Sequence, residues 1–442
     1  MGDTDRVRFV SPGRFQDMYF ILFPAEKPGT IWRSKDGFRS VGRPVVVDAM
    51  SRERRGILIL GLCVLSLLAE TDSAQGRFLN SRQAQSAPRG RIACLPSSTM
   101  GVRYPDPFAL GNHSYGFSIS ERNGIVYTCR GGHIDITHLR KLADWTAYLT
   151  SRLHEALLGN REEFSFRMRE ASLYHVRIEY PAAWRRLPAG EKEALARETA
   201  IELAQYLAFM CSTWHEILTW FGYKGAGIWP EYQSAFSWED NYSNLLGCRI
   251  GAAALRDPDR DFEKAVTGLL EAELQALGVQ PKHIARQAAE SVRNWWFTGS
   301  LWSCRIIKRH FDIGLADRIV TPWLIPDLAE CDGAMPQEYP APTLSGVEQR
   351  SFSICFEIEP KEWERKKILR IVRGDNERTE RIEPTRHFDA IIECIRGQAV
   401  ARYGPFVDDR FAKPMPTPRS DKSVGFEDIA TLAAQWLVED NS

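Results

Sequence analysis

Across residues 190–221 the side chains Leu195, Thr199, Leu203, Leu207, Cys211, Trp214, Leu218 and Phe221 recur every three or four positions. That period puts them on one side of a single long helix, and Gly222 supplies the usual stop. A helix of this length needs other elements to cover its stripe, so the rest of the chain must be arranged around it.

Similar periods predict those other elements. Ile136, Leu139, Leu142, Ala143, Leu149, Leu153 and Leu157 mark a helix over about 135–158, with Asp135 at the positive end of its dipole. Further helical patterns cover about 238–255, 262–277 and 283–297, and shorter ones lie near Trp363 and His387. Strand-like runs occur at 124–129, 163–169, 173–180 and 352–358, the first ending in the Gly131-Gly132 pair and the third at Pro181. The expectation is an α+β fold, predominantly α-helical, with a small β-sheet that contains the strands near Val126, Phe166 and Val176.

Met50 is followed by Arg52, Arg54 and Arg55, then by an apolar run from Gly56 to Ala69 and by Ala74-Gln75-Gly76. A basic start, an apolar middle and a small-x-small end form the pattern of a secretory signal peptide over 50–76, cleaved after Gly76. The apolar run is too short for a comfortable membrane span. The expected organisation is a disordered upstream extension at 1–49 with translation starting at Met50, then the signal peptide, a main α+β domain over 77–325, and a C-terminal α+β extension or subdomain over 343–442. The Pro-rich stretch 322–342 is the internal boundary.

From Arg77 onward the chain carries 46 basic and 48 acidic residues. Near neutrality and the lack of a basic stripe argue against nucleic acid, and no polybasic or lipidated segment argues for membrane docking. Eight cysteines follow the leader, and export would allow disulfides. Cys94 and Cys129 are the bridge candidate, Cys211 reads as a buried free thiol, and the absence of CxxC spacing speaks against a cysteine zinc site.

The chemistry is concentrated in three blocks. Gly131-Gly132-His133-Ile134-Asp135-Ile136-Thr137-His138 places Asp135 and His138 at i,i+3 on one helix face, where both can ligate a metal or the carboxylate can orient the imidazole. A capping Asp and a surface His are the plain alternative. His215-Glu216 opens as the HExxH zinc motif does, yet Thr219 stands where the second histidine is required. Glu216 on an apolar helix between Trp214 and Trp220 is costly to bury unless paired, which points to function. Glu239 and Asp240 begin the next helix after Ser237, and Ser243 and Asn244 follow one turn later. Helix-start charge preference alone accounts for the two carboxylates.

Three runs within these blocks resemble the bacterial domain-of-unknown-function family 4056: Ile134-Asp135-Ile136-x-His138-x-Arg140, Trp214 through Gly222, and Ser237-Trp238-Glu239-Asp240-x-Tyr242-Ser243-Asn244-x-x-Gly247. The likeness covers roughly the exported chain up to the Pro-rich boundary. It implies an exported bacterial protein and carries over no reaction.

Three functions are open on these residues. The first is a metal-dependent hydrolase, with Asp135, His138 and His215 as ligands of a divalent metal (zinc first), Glu216 as the base for a bound water, and Glu239 or Asp240 as ligand or orienter. Arg140, Asp240 and Asn244 are its expected binding residues. The second makes Ser243 a nucleophile with a histidine base. The third is a non-catalytic envelope scaffold or binding protein whose polar groups form a satisfied buried network. No nucleotide cofactor is expected. The substrate would be a small molecule or a cell-envelope component, and the exported chain would have no membrane span and reside in the periplasm or cell envelope.

Overall fold

A computed structural model describes residues 82–91, 104–222, 234–299, 305–373 and 380–412, with two short strands at Lys224–Gly225 and Trp229–Pro230. The expected leader at 50–76, the stretch before it, Cys94 and residues 413–442 lie outside the described residues. Every described residue falls within one compact unit, Thr71–Ser442.

Strand β1 (Ile125–Thr128) turns at Gly132, whose φ is +66°, into β2 (Gly132–Asp135). The two pair antiparallel with Tyr127 opposite His133 and Ile125 opposite Asp135. His133 and Ile134 thus belong to a second strand beyond the Gly131-Gly132 pair, where the strand-like run was expected to end. A Cβ at position 132 would sit 2.2 Å from the Trp323 carbonyl oxygen, so only glycine meets both the backbone angle and the space. Helix α1 (Ile136–Leu158) begins where the Asp135 carboxylate accepts the Thr137 N–H at 2.6 Å. All seven apolar positions named for its stripe are buried.

A second antiparallel sheet has β3 (Glu163–Phe166) and β4 (Leu173–Glu179) beside a strand from far along the chain, β6 (Ser353–Glu359). Tyr174, Val176 and Ile178 alternate inward along β4, and the Tyr174 ring stacks between Phe166 and Phe356. Between these two strands' segments in sequence come α2 (Ala189–Trp220), α3 (Asp240–Arg256), α4 (Phe262–Ala276), the short β5 (Val279–Gln280) that joins β1, and α5 (Lys282–Ser291). After β6 the chain adds α6 (Arg365–Val372) and α7 (Pro384–Tyr403), whose Pro384 starts it without losing a ladder bond. The structure is predominantly helical with small sheets, as expected. It has two three-stranded sheets where one was anticipated, with β1 in one and β3 and β4 in the other.

The long helix α2 packs against α1, which in turn packs against α3. That last contact is close because α3 carries glycines where it crosses. A Cβ on Gly247 would lie 2.3 Å from the Leu139 carbonyl oxygen, and one on Gly251 would lie 2.8 Å from Ala143 Cα. Pairing of β6 with β4 also joins the chain on both sides of the 322–342 stretch into one sheet.

One expectation is corrected. Cys129 is bonded to Cys331, 202 residues away, rather than to Cys94. The bridge ties the β1–β2 turn to the Pro-rich segment, a proximity that local sequence does not reveal. Cys211 is a buried free thiol, as read from its helix face. Among the described residues no helix is long and apolar enough to cross a membrane.

Candidate active site

The N-terminus of α1, the C-terminal turns of α2 and the N-terminus of α3 bring four carboxyl side chains and one imidazole into a shared electrostatic neighbourhood. His138, one turn into α1, directs Nδ1 to Asp240 Oδ1 at 3.1 Å and to Asp135 Oδ2 at 3.8 Å. Burial alone would lower its pKa, but the charge of Asp135 and the bond to Asp240 outweigh it and lift the ring to about 9. At neutral pH this is therefore an imidazolium.

Glu216 enters from α2 and accepts the Phe236 N–H at 3.0 Å. Burial, followed by the charge of Asp240, raises its carboxyl to about 7, against the opposing pull of His215 and His138. Glu239 is fully buried, and neither of its oxygens has a well-formed hydrogen bond. Burial and then Asp240 push it well above the usual carboxylate range, with the Ser237 hydroxyl as the neighbour that resists the shift. Asp240 holds its own helix start by accepting the Ser237 N–H at 3.2 Å.

His215 has a carboxylate partner different from those of His138. Its Nδ1 pairs with Glu170 Oε1 at 2.8 Å, in the turn between β3 and β4. Burial would raise Glu170, but the bond to His215 and that residue's charge bring it down to about 2. His138 and His215 keep 16% and 21% of their side chains exposed, so the otherwise buried cluster meets solvent along this edge.

Of the remaining expected residues, Ser243 and Arg140 have structural partners. The Ser243 hydroxyl donates to the Glu239 carbonyl at 2.6 Å and accepts the Asp135 N–H at 2.9 Å, which engages it at both ends. Arg140 donates to the Leu110, Gly111 and Arg122 carbonyls and to Asn123 Oδ1, pinning the 110–123 segment to α1. Asn244 is buried on α3 with its Oδ1 unbonded. His133 accepts from Trp238 Nε1 at 3.4 Å and faces the Ala285 carbonyl at 3.2 Å, and burial lowers it to about 4, so it is a neutral core ring.

Two participants were missed. Glu170 lies in a polar turn, Arg169-Glu170-Ala171, that carries no signal of burial. Arg309 sits in the run Lys308-Arg309-His310, which reads as a solvated charge run yet is buried throughout. Its guanidinium bonds to the Ala235 and Ile306 carbonyls, lies over the Trp220 and Tyr403 rings, and feels the charges of Asp240 and Glu216. The apolar flanks Ile306-Ile307 and Phe311 were the available clue.

Among the described residues, no three His, Cys, Asp or Glu side chains are arranged to hold one metal ion. Of the expected ligands Asp135, His138 and His215, the two imidazoles turn Nδ1 to different carboxylates, His138 to Asp240 and His215 to Glu170, which leaves Nε2 of each as its remaining ring nitrogen.

The model of a family described as "Protein of unknown function (DUF4056)" matches residues 99–321, half of the chain. This chain belongs to the DUF4056 family. The matched span contains every member of the cluster, from Asp135 through Arg309, along with α1 to α5. Strand β6 and helices α6 and α7 complete the sheet and core from outside that DUF4056 span. Comparison with curated proteins and with solved structures finds no match.

Proposed function

We propose that this DUF4056 protein is an exported hydrolase in which the buried carboxylate–imidazole cluster performs acid–base chemistry without a metal step. The observation that carries the reading is the convergence of Glu216, Asp240 and Asp135 on His138 from three helix ends, at an edge where His138 and His215 are open to solvent. Glu216 is the general base: it takes a proton from an attacking water and returns it to the leaving group. Its carboxyl near 7 suits that exchange at neutral pH. In this reading the His138 imidazolium, held by Asp135 and Asp240, stabilises the negative charge that develops on the substrate.

A small molecule or cell-envelope component is the substrate class. The leader pattern at 50–76 and the Cys129–Cys331 bridge support export, since such bridges persist in oxidising compartments. The scaffold alternative rests on a satisfied buried network, whereas Glu239 is buried without well-formed hydrogen bonds.

The test is turnover of ester, phosphoester, amide and glycoside substrates by the purified protein, with and without chelator, beside elemental analysis. Hydrolysis that survives chelation and drops about 10²–10⁴-fold in Glu216→Gln is the expected result. Full activity in Glu216→Gln would remove Glu216 from the chemistry. Stoichiometric metal that is lost on His138→Ala and His215→Ala would return the protein to the metal-dependent class.

A further inference from the structure

Where α7 and residues 310–323 meet residues 408–411, the described residues line a half-open cleft of about 600 Å³. This volume is in the range of small-molecule sites. Its base is apolar and well packed, formed by Phe311, Ile313, Trp323 and Ile392, and the 62% exposed Phe411 ring stands at its margin. Around that base lie six carboxylates, Asp312, Asp317, Asp389, Glu393, Asp408 and Asp409, against the guanidiniums of Arg396 and Arg410.

Most of these carboxylates already have work within the fold. Asp312 accepts the Gly314 and Thr321 N–H groups at 2.9 Å each, Asp409 accepts those of Phe411 and Ala412, and Glu393 and Asp408 both hold Arg396, at 2.8 and 3.0 Å. Asp317 bonds only the Ile319 N–H, through Oδ1. Asp317 and Asp389 are thus left as exposed carboxylates with no ion pair among the described residues. A second feature is independent of the charges. His310 lines the cleft at 2% exposure, its ring 5.0 Å from that of Trp323, and its Nδ1 makes no well-formed hydrogen bond.

We propose that this cleft binds a small organic cation, with Asp317 and Asp389 as the counter-charges and the Phe311–Trp323 base covering its apolar body. Surplus negative charge around an apolar floor attracts an ammonium by its field and disfavours an anion of the same size, while the Phe311 and Phe411 rings already carry the Arg396 and Arg410 guanidiniums. The site is separate from the Glu216 cluster. Its base is nevertheless tied to that cluster, because Asn241, next to Asp240, donates to the His310 and Asp312 carbonyls at 2.7 and 3.2 Å.

Calorimetric titration of the full chain with 1,5-diaminopentane and with glutarate tests the proposal, because the two probes match in length and differ in charge. The diamine binds and glutarate does not. The double variant Asp317→Asn/Asp389→Asn changes two exposed side chains, keeps the native circular dichroism, and weakens diamine binding by about tenfold, the sum of two modest solvent-exposed ion pairs. Absence of diamine binding, glutarate binding of equal strength, or diamine affinity unchanged in the folded double variant would each overturn it.

Discussion

Glu216 and His138 differ in proton affinity because their surroundings differ, although both sit within the same cluster. Burial and Asp240 raise the Glu216 carboxyl to about 7, while Asp135 and Asp240 hold the His138 imidazolium up to about 9. If Glu216 must be ionised and His138 charged, kcat/KM rises with pH through about 7 and falls through about 9. A rate–pH profile checks this, and His138→Gln removes the upper limb. Stability follows the same two groups. The raised His138 contributes its full stabilisation below its ordinary value of 6.5 and loses it as pH rises through about 9. Glu216, also raised, likewise contributes below 4.5 and loses that contribution as pH rises through about 7. The melting temperature therefore declines from pH 6 to pH 9, and the decline is shallower in His138→Gln. Glu170 has the opposite sign, since its lowered carboxyl stabilises the fold above 4.5 and stops doing so as pH falls through about 2.

Among the elements, the α1–α3 crossing determines whether Asp135, His138 and Asp240 meet at all. Gly247 and Gly251 let the two helices approach until a methyl group would strike the Leu139 carbonyl or the Ala143 backbone. Gly247→Ala should cost about 1–3 kcal/mol by overpacking, and more if the helices cannot separate. Urea unfolding measures the loss, and an equally stable variant would mean the crossing is wider than described. The helices themselves were legible from their periods: α1 and α2 fall within a residue or two of the expected spans, and Asp135 caps α1 as its position suggested. The expected 283–297 helix was overlong, because α5 stops at Ser291 and the following aromatics Trp296 and Phe297 serve a second core cluster with Trp238 and Trp323. An apolar run reads alike whether its residues line a helix or fill a core between loops. Strand β2 was missed for a related reason, as four residues after a glycine turn are too short to establish a period.

Across the whole molecule, the long-range ties are what hold the site's supports in register. The Cys129–Cys331 bridge closes the largest covalent loop among the described residues and removes chain entropy from the unfolded state. Cys331→Ser should lower stability by about 2–5 kcal/mol, read by calorimetry, and reductant should shift the parent protein towards the variant but leave the variant unmoved. The sequence by itself determined the helical stripes, the helix starts, the three polar blocks and the family resemblance, because each is a property of residues within a few turns of one another. Only the tertiary structure decided that His215 turns to Glu170 rather than to His138, that Ser243 is held by Asp135 and Glu239, and that Arg309 is drawn beneath Trp220 and Tyr403. It also set Cys129 beside Cys331 and β6 beside β4. The physical reason is the same in each case. A buried polar group or a strand edge takes whichever partner the packing brings within about 3 Å, and residues far apart in the chain supply that partner without leaving a local pattern.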